Sequence, residues 1–469
     1  MIKVIRVILI GCLFILMFVG ANATIINVPA DQPTIQLGLN FASSGDTVLV
    51  SPGTYYENII WPEVNGIVLL SESGAEHTII DGSNITNTIK VYECYPNIID
   101  TTTIIDGFTI CNGNASNTFG GGGIYAHDAD PVVQYCIIKN NTAPTVGGGG
   151  GILHHIGSKA IIRYNIIRNN STSDDGGGIY LCCSSADVYG NEIYNNNSAR
   201  GGCISCYKTW EHFIKDNEIY NNICIYAGGG IYSKESSSFI EKNNIHHNIV
   251  SMYGGGIFIA SSANLEIIHN QIHHNEANES GGGVCLLSSP SLSFLHQNDI
   301  FQNHAINHGA GVYCVSAYDT LNAENNWWGD ASGPYNELLN PNGTGNEVYG
   351  TVDFIPWALE PFFPYTEISD NNYPEVQNIN KLFQNYPNPF SSSTAISFNL
   401  ATKSHEKAKI KIYNVKGQSV KKLLIVNGQS SIKWDGKDEK CSHLSSGIYF
   451  YQLQIDNKVI DTKKCLILR

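Results

Sequence analysis

Through the middle of the chain, apolar and polar positions alternate with a period of two over short stretches that stop at Gly or Asn. Ala160-Ile161-Ile162 and Glu266-Ile267-Ile268 are examples. Such runs predict short strands separated by turns. The runs repeat. A glycine cluster followed by Ile or Val recurs with the β-branched residue at 124, 152, 179, 204, 231, 257, 284 and 312, in steps of 25 to 28 residues. A second phrase, Asn-x-Ile-x-x-Asn, follows in register. It reads Asn165/Ile167/Asn170, Asn191/Ile193/Asn196, Asn217/Ile219/Asn222, Asn243/Ile245/Asn248, Asn270/Ile272/Asn275 and Asn298/Ile300/Asn303. Cys136/Ile138/Asn141 is an imperfect first copy, and Asn325-Asn326-Trp327-Trp328-Gly329 a divergent last one.

A period of about 26 residues without helical periodicity excludes ankyrin-like and tetratricopeptide-like arrays. Three short strands and three turns per repeat describe one coil of a parallel β-helix. Coils stack at about 4.8 Å, so equivalent residues form columns along the axis. One inward column is then Ile138, Ile167, Ile193, Ile219, Ile245, Ile272 and Ile300. A structural ladder of Asn141, Asn170, Asn196, Asn222, Asn248, Asn275 and Asn303 is expected at a turn, each amide donating to the next carbonyl. The glycine column marks a turn that needs positive φ or close backbone approach. Ahead of the stack, Ile35, Leu39 and Ala42 fall at helical intervals and predict an amphipathic cap, with the first coil opening at Gly45-Asp46-Thr47-Val48-Leu49-Val50.

Charge divides the chain. The net charge is −14, with only 14% charged residues. Residues 24–378 carry 10 basic and 35 acidic side chains, whereas residues 379–469 carry 15 basic and 6 acidic ones. So acidic a body repels nucleic acid and anionic lipid, and nucleic-acid binding is excluded as a function. At the start, Lys3 and Arg6 precede an apolar run to Val19 and the small residues Ala21-Asn22-Ala23. This is the form of a secretory signal peptide over 1–23, too short to span a bilayer. Leu9-Ile10-Gly11-Cys12 also has the form of a lipoprotein box. No later segment predicts a transmembrane helix. Cys203-Ile204-Ser205-Cys206 is a single Cys-x-x-Cys spacing, and the exported cysteines are expected to be buried, with a few disulfides.

Gly45-Asp46-Thr47-Val48-Leu49-Val50-Ser51-Pro52-Gly53-Thr54-Tyr55, Ile105-Asp106-Gly107-Phe108-Thr109-Ile110 and the Asn325–Gly329 exit resemble secreted right-handed parallel β-helix proteins of the pectin-lyase-like superfamily. The resemblance covers about residues 24–360. After a Pro-, Asn- and Asp-rich linker at 361–380, Gln384-Asn385-Tyr386-Pro387-Asn388-Pro389-Phe390 opens a second module. It runs through Trp434-Asp435-Gly436 and Ser446-Gly447-Ile448-Tyr449 to Lys463-Lys464-Cys465-Leu466-Ile467-Leu468-Arg469. It resembles the C-terminal sorting domain of the type IX secretion system. The expected fold is therefore all-β: a solenoid over 24–360 and a small β-sandwich over 381–469. The second resemblance implies a partner, the type IX machinery, and export through the outer membrane of a Gram-negative bacterium to the surface or the medium. A bridge between Cys441 and Cys465 is a further expectation.

The superfamily holds lyases, hydrolases and plain binding proteins, so fold alone does not select among them. Asp174-Asp175, before the turn at Gly176, are paired carboxylates suited to glycoside hydrolysis. Lys139 and Arg168 share a column and suit a lyase, which would also imply Ca²⁺ at the uronate carboxylate. Tyr194 and Tyr220, with Phe301 further along the same column, offer rings for sugar stacking. His246-His247 and His273-His274 occupy identical positions in adjacent coils, where like rings about 5 Å apart suggest a shared Zn²⁺ or Cu²⁺. Three readings stand: a glycan-binding or structural β-helix, a polysaccharide lyase or hydrolase, and a surface adhesin that binds protein.

Overall fold

The computed structural model describes residues 23–363 and 381–468, apart from 93–97, 117–118, 145–146, 262, 288–292, 317–318, 383–384, 386–387, 389, 400–407, 426–430, 441 and 457. Residues 1–22 of the expected signal peptide and most of the linker lie outside the described residues. The chain divides into two compact units, Met1–Phe363 and Pro364–Arg469.

The first unit is a parallel solenoid. Its strands form sheets of 22, 10 and 7 strands, each strand pairing in parallel with its equivalents on neighbouring coils. A full coil holds four strands rather than three, as in Ile231–Lys234, Ser237–Glu241, Asn244–His246 and Ile249–Val250. The extra strand arises where the chain bends at left-handed residues, Glu235 with φ 51 in this coil and Lys208 and Glu211 in the coil before it. In two coils the strand runs through this bend unbroken, as Ile152–Arg163 and Ile179–Tyr189, so the first two strands of each coil share one sheet. Ile167, Ile193, Ile219, Ile245, Ile272 and Ile300 are fully buried inside the third strands and form a single core with the other inward columns.

From Ile124 to Val312 each coil is closed by the glycine turn. Gly254 takes φ 69, a left-handed conformation that strains any residue with a Cβ. Its neighbour column is constrained differently: a Cβ on Gly229 would collide with the Gly255 carbonyl oxygen on the next coil.

The amphipathic cap is the helix Ile35–Phe41. The Thr34 side chain accepts the Leu37 N–H at 3.2 Å, and the Glu57 carboxylate accepts the N–H groups of Ile35 and Gln36 at 2.9 Å each. Ile35 and Leu39 are fully buried. The sheet, however, begins before the helix: Ile25–Val28 pairs in parallel with Thr47–Val50. Four residues of alternation next to an export signal carry too weak a pattern to mark a strand.

The strands of the second unit pair antiparallel, in one sheet of 3 strands and one of 4, and an isolated parallel bridge joins Phe390 to Ile467. Trp434, Tyr451, Ile410, Phe398 and Ile467 are buried in its core. The Tyr451 hydroxyl accepts the Asn385 N–H at 2.6 Å, tying the opening motif to the longest strands.

Candidate functional site

Two buried amide ladders run along the solenoid. In the first, each Asn Oδ1 accepts both the backbone N–H and the side-chain amide of the Asn one coil earlier, at 2.9–3.1 Å, from Asn141 through Asn170, Asn196, Asn222, Asn248 and Asn275 to Asn303. It ends on Asn346, beyond the inserted loop that follows Gly329. The second runs through Asn165, Asn191, Asn217, Asn243, Asn270 and Asn298 to Asn326, with the same pairing. Because these amides are buried and bonded to one another, they contribute structure and are not presented to a ligand.

Outward from the third strands lies one column in which Lys139, Arg168, Tyr194, Tyr220, His246, His273 and Phe301 are successive register partners. Lys139 and Arg168 do fall on one column. From Tyr194 onward the rings stack face to face: Tyr194–Tyr220 at 4.9 Å, Tyr220–His246 at 5.2 Å, His246–His273 at 5.0 Å and His273–Phe301 at 4.8 Å, with interplanar angles of 13° or less. The faces expected to receive sugar are therefore turned to one another. His246 is 4% exposed and Phe301 8%. Carboxylates of the preceding position hold the column. Glu192 accepts the Tyr220 hydroxyl at 2.6 Å, and Glu218 lies 2.7 Å from His246 Nε2 and accepts the Asn244 amide at 2.9 Å.

The four histidines come together in pairs within a coil. The Nδ1 atoms of His246 and His247 are 2.8 Å apart, as are those of His273 and His274. Like rings of neighbouring coils are parallel, so their in-plane lone pairs do not converge. Among the described residues, no three His, Cys, Asp or Glu side chains are placed to hold one metal ion. Burial and the neighbouring imidazoles push His273 far down, to about 2.

Asp174 and Asp175 meet a partner that the sequence placed one coil on. Arg200 Nη2 lies 2.8 Å from Asp174 Oδ1, and its Nε donates to Asp175 Oδ1. Asp174 also accepts the Gly147 N–H at 3.1 Å. Burial holds the Asp175 carboxyl up, to about 6, against the opposing pull of Arg200. The pair clamps the turn that precedes the glycine column. Cys203 and Cys206 are wholly buried, and burial raises both thiols, which makes them inert. The described cysteines, Cys465 among them, are free thiols. The expected bridge is therefore absent at Cys465; Cys441 lies outside the described residues.

A different surface carries exposed rings. The bend between second and third strands is a column of left-handed residues: Tyr135, Tyr164, Gly190, Asp216 and Lys242. Tyr135 is 55% exposed and Tyr164 47%, their rings stacked at 5.4 Å. Tyr164 lies over Gly190, where a Cβ would come within 2.6 Å of the ring, so only glycine admits it. From Gly190 a shallow groove of about 500 Å³ continues, lined by Glu192, Asp216, Glu218, Lys242 and Asn244. Beside it on the second strands, Arg163 donates to Gln134 Oε1 and to the Tyr189 hydroxyl. The exposed Phe213 and Phe239 stack at 5.1 Å, with Lys215 over Phe213. These residues escaped the sequence reading because they sit next to the ladder asparagines rather than on the repeated phrase. The signal was there: Tyr135 and Tyr164 each precede the first position of that phrase.

Comparison with known proteins bears on both units. Residues 384–468 match the family model described as secretion system C-terminal sorting domain. Residues 173–328 match right handed beta helix region, and residues 39–248 match periplasmic copper-binding protein (NosD). No curated protein matches the chain. Among solved structures, a similar chain is PorZ of Porphyromonas gingivalis, titled an essential bacterial surface component of the type-IX secretion system. It shares 16% identity at a TM-score of 0.17, over 21% of this chain and 13% of that one. The convergence of donors that a copper ion needs is not found at the paired histidines, which do not fit such a site. No helix among the described residues is long and apolar enough to cross a membrane. Stacked parallel coils followed by a matching sorting domain make this chain a right-handed β-helix protein with a type IX secretion tail, exported to the cell surface or the extracellular space.

Proposed function

We propose that the exported solenoid is a glycan-binding protein whose contact surface is the Tyr135–Tyr164 turn column and the groove that opens from Gly190. The observation that carries this reading is the juxtaposition of two half-exposed stacked rings with a polar groove of carboxylates, an amide and Lys242. Exposed aromatic surface takes the apolar face of a sugar, and fixed polar groups beside it take the hydroxyls. The C-terminal unit delivers the solenoid to the surface through the secretion machinery. The test is retardation of the full chain in affinity gels containing neutral or acidic polysaccharides. Tyr164→Ala is expected to abolish retardation that Tyr220→Ala retains; equal retardation by both variants would overturn the surface assigned here.

A second reading, glycoside hydrolysis, has one observation in its favour. Glu192 and Glu218 are register partners and line the same groove. Adjacent coils are about 4.8 Å apart, close to the ~5–5.5 Å that separates the two carboxyl groups of retaining glycosidases. New reducing ends released from a retained polysaccharide, and lost in Glu218→Gln, would establish turnover.

A further inference from the structure

Cys182 and Cys183 are adjacent in sequence, and their Sγ atoms touch at 4.0 Å. They lie in the long strand Ile179–Tyr189, on the outward side of the solenoid. Cys182 packs against Tyr125, Leu153 and Tyr180 and is 8% exposed. Cys183 is half-buried and takes φ 51, on the left-handed bend between the first and second strands of its coil. The other described cysteines are all buried. Reactivity toward molecules in solution therefore concentrates on Cys183, with a second thiol already in contact with it. Neither the glycan surface nor the ladders use this pair.

We propose that Cys182 and Cys183 are a modification site, an adjacent thiol pair that closes to an internal disulfide on meeting a small disulfide oxidant. The Cys183 thiolate attacks one sulfur of the oxidant, whose S–S bond breaks and releases the first thiolate. Cys182 Sγ then attacks Cys183 Sγ in the mixed disulfide; the Sγ–Sγ bond forms, and the second oxidant thiolate leaves with the proton from Cys182. Two protein thiols are oxidised, and one disulfide is reduced to two thiols. Cys183, the more exposed of the two, meets the oxidant first, and burial raises the Cys182 thiol, which suits it to the second step. The ring spans a single peptide bond, so no two coils are joined. What closure removes is the one half-buried thiol among the described cysteines, which in an oxidising compartment would otherwise couple chain to chain.

The experiment uses the full chain, purified reduced and then incubated with cystine. Trypsin releases residues 169–200, a peptide that holds both cysteines and no other. The expected result is that this peptide loses the mass of two hydrogens and resists alkylation after unfolding, while peptides carrying other cysteines are alkylated. In Cys182→Ser, Cys183 should instead keep a half-cystine adduct, because the resolving thiol is gone. Full alkylation of both cysteines in the wild type would overturn the proposal. So would a persistent adduct on the wild type, or a cross-link from this peptide to another.

Discussion

The Asn222 side-chain amide donates to Asn248 Oδ1 at 2.9 Å, and the same oxygen accepts the Asn222 backbone N–H at 3.1 Å. One oxygen thus satisfies two buried donors of the coil before it, and the Asn222 amide also reaches the Ile193 carbonyl at 3.0 Å.

Removing that side chain strands several groups at once. Asn222→Ala leaves the Asn196 N–H and amide without their acceptor, and each buried unsatisfied group costs about 1–3 kcal/mol. The expected loss is at least ~3 kcal/mol in denaturant unfolding. A change below ~1 kcal/mol would mean that water or a shifted turn replaces the ladder.

The glycine turn separates strain from collision. Gly45 has φ 91 and open space around its Cβ position, so Gly45→Ala should cost only about 1–2 kcal/mol. In Gly229→Ala the new methyl meets backbone of the next coil, which cannot yield without breaking the stack. Its thermal midpoint should fall well below that of Gly45→Ala.

Acid should loosen the solenoid through its buried histidines. Burial lowers His212 to about 4 and His273 to about 2, both below the ordinary value of 6.5. The unfolded chain therefore binds protons that the folded one refuses. Their contribution is complete above pH 6.5 and is lost as pH falls below it. Asp175, raised to about 6, works the other way, since the folded state takes its proton first and gains stability as pH falls from 6 toward 4. Comparing His273→Phe with the wild type cancels the Asp175 contribution. The variant should lose less of its thermal midpoint between pH 7 and pH 5, and an identical loss would refute the assignment.

Arg200 is half-exposed but serves an almost buried acid, with the Asp175 side chain 11% exposed. Arg200→Met should therefore cost about 1–3 kcal/mol, less than the loss of a fully buried partner. Asp175→Asn added to it should restore most of that stability, as a double-mutant cycle by thermal unfolding would read.

The solenoid was legible because its signal is periodic. Ile167 and Asn170 say little alone, but their recurrence at Ile193 and Asn196 and beyond names both the column and the fold. The site was less legible, since a column states which residues are neighbours and not which way their rings face. Tyr194 and Tyr220 were found as neighbours, but their half-burial in a stack that runs on through His246 and His273 to Phe301 was not, and it sets them apart from the exposed Tyr135 and Tyr164. Tyr164 was missed although it precedes Asn165, because its exposure depends on Gly190 one coil away. The Arg200 clamp was half legible: the repeat places Arg200 one coil on from Asp175, but not that one guanidinium reaches both Asp174 and Asp175.

The ladders also define a unit in which the molecule can change length. Removing residues 217–242 would bring Asn191 opposite Asn243 and Asn196 opposite Asn248, with every inward column still continuous. Whole-coil duplication or loss is therefore nearly neutral for folding, whereas a deletion of one residue misaligns both ladders. A lineage carrying this protein can lengthen or shorten its outer surface rung by rung, keeping Tyr135 and Tyr164 in place while the reach beyond them varies.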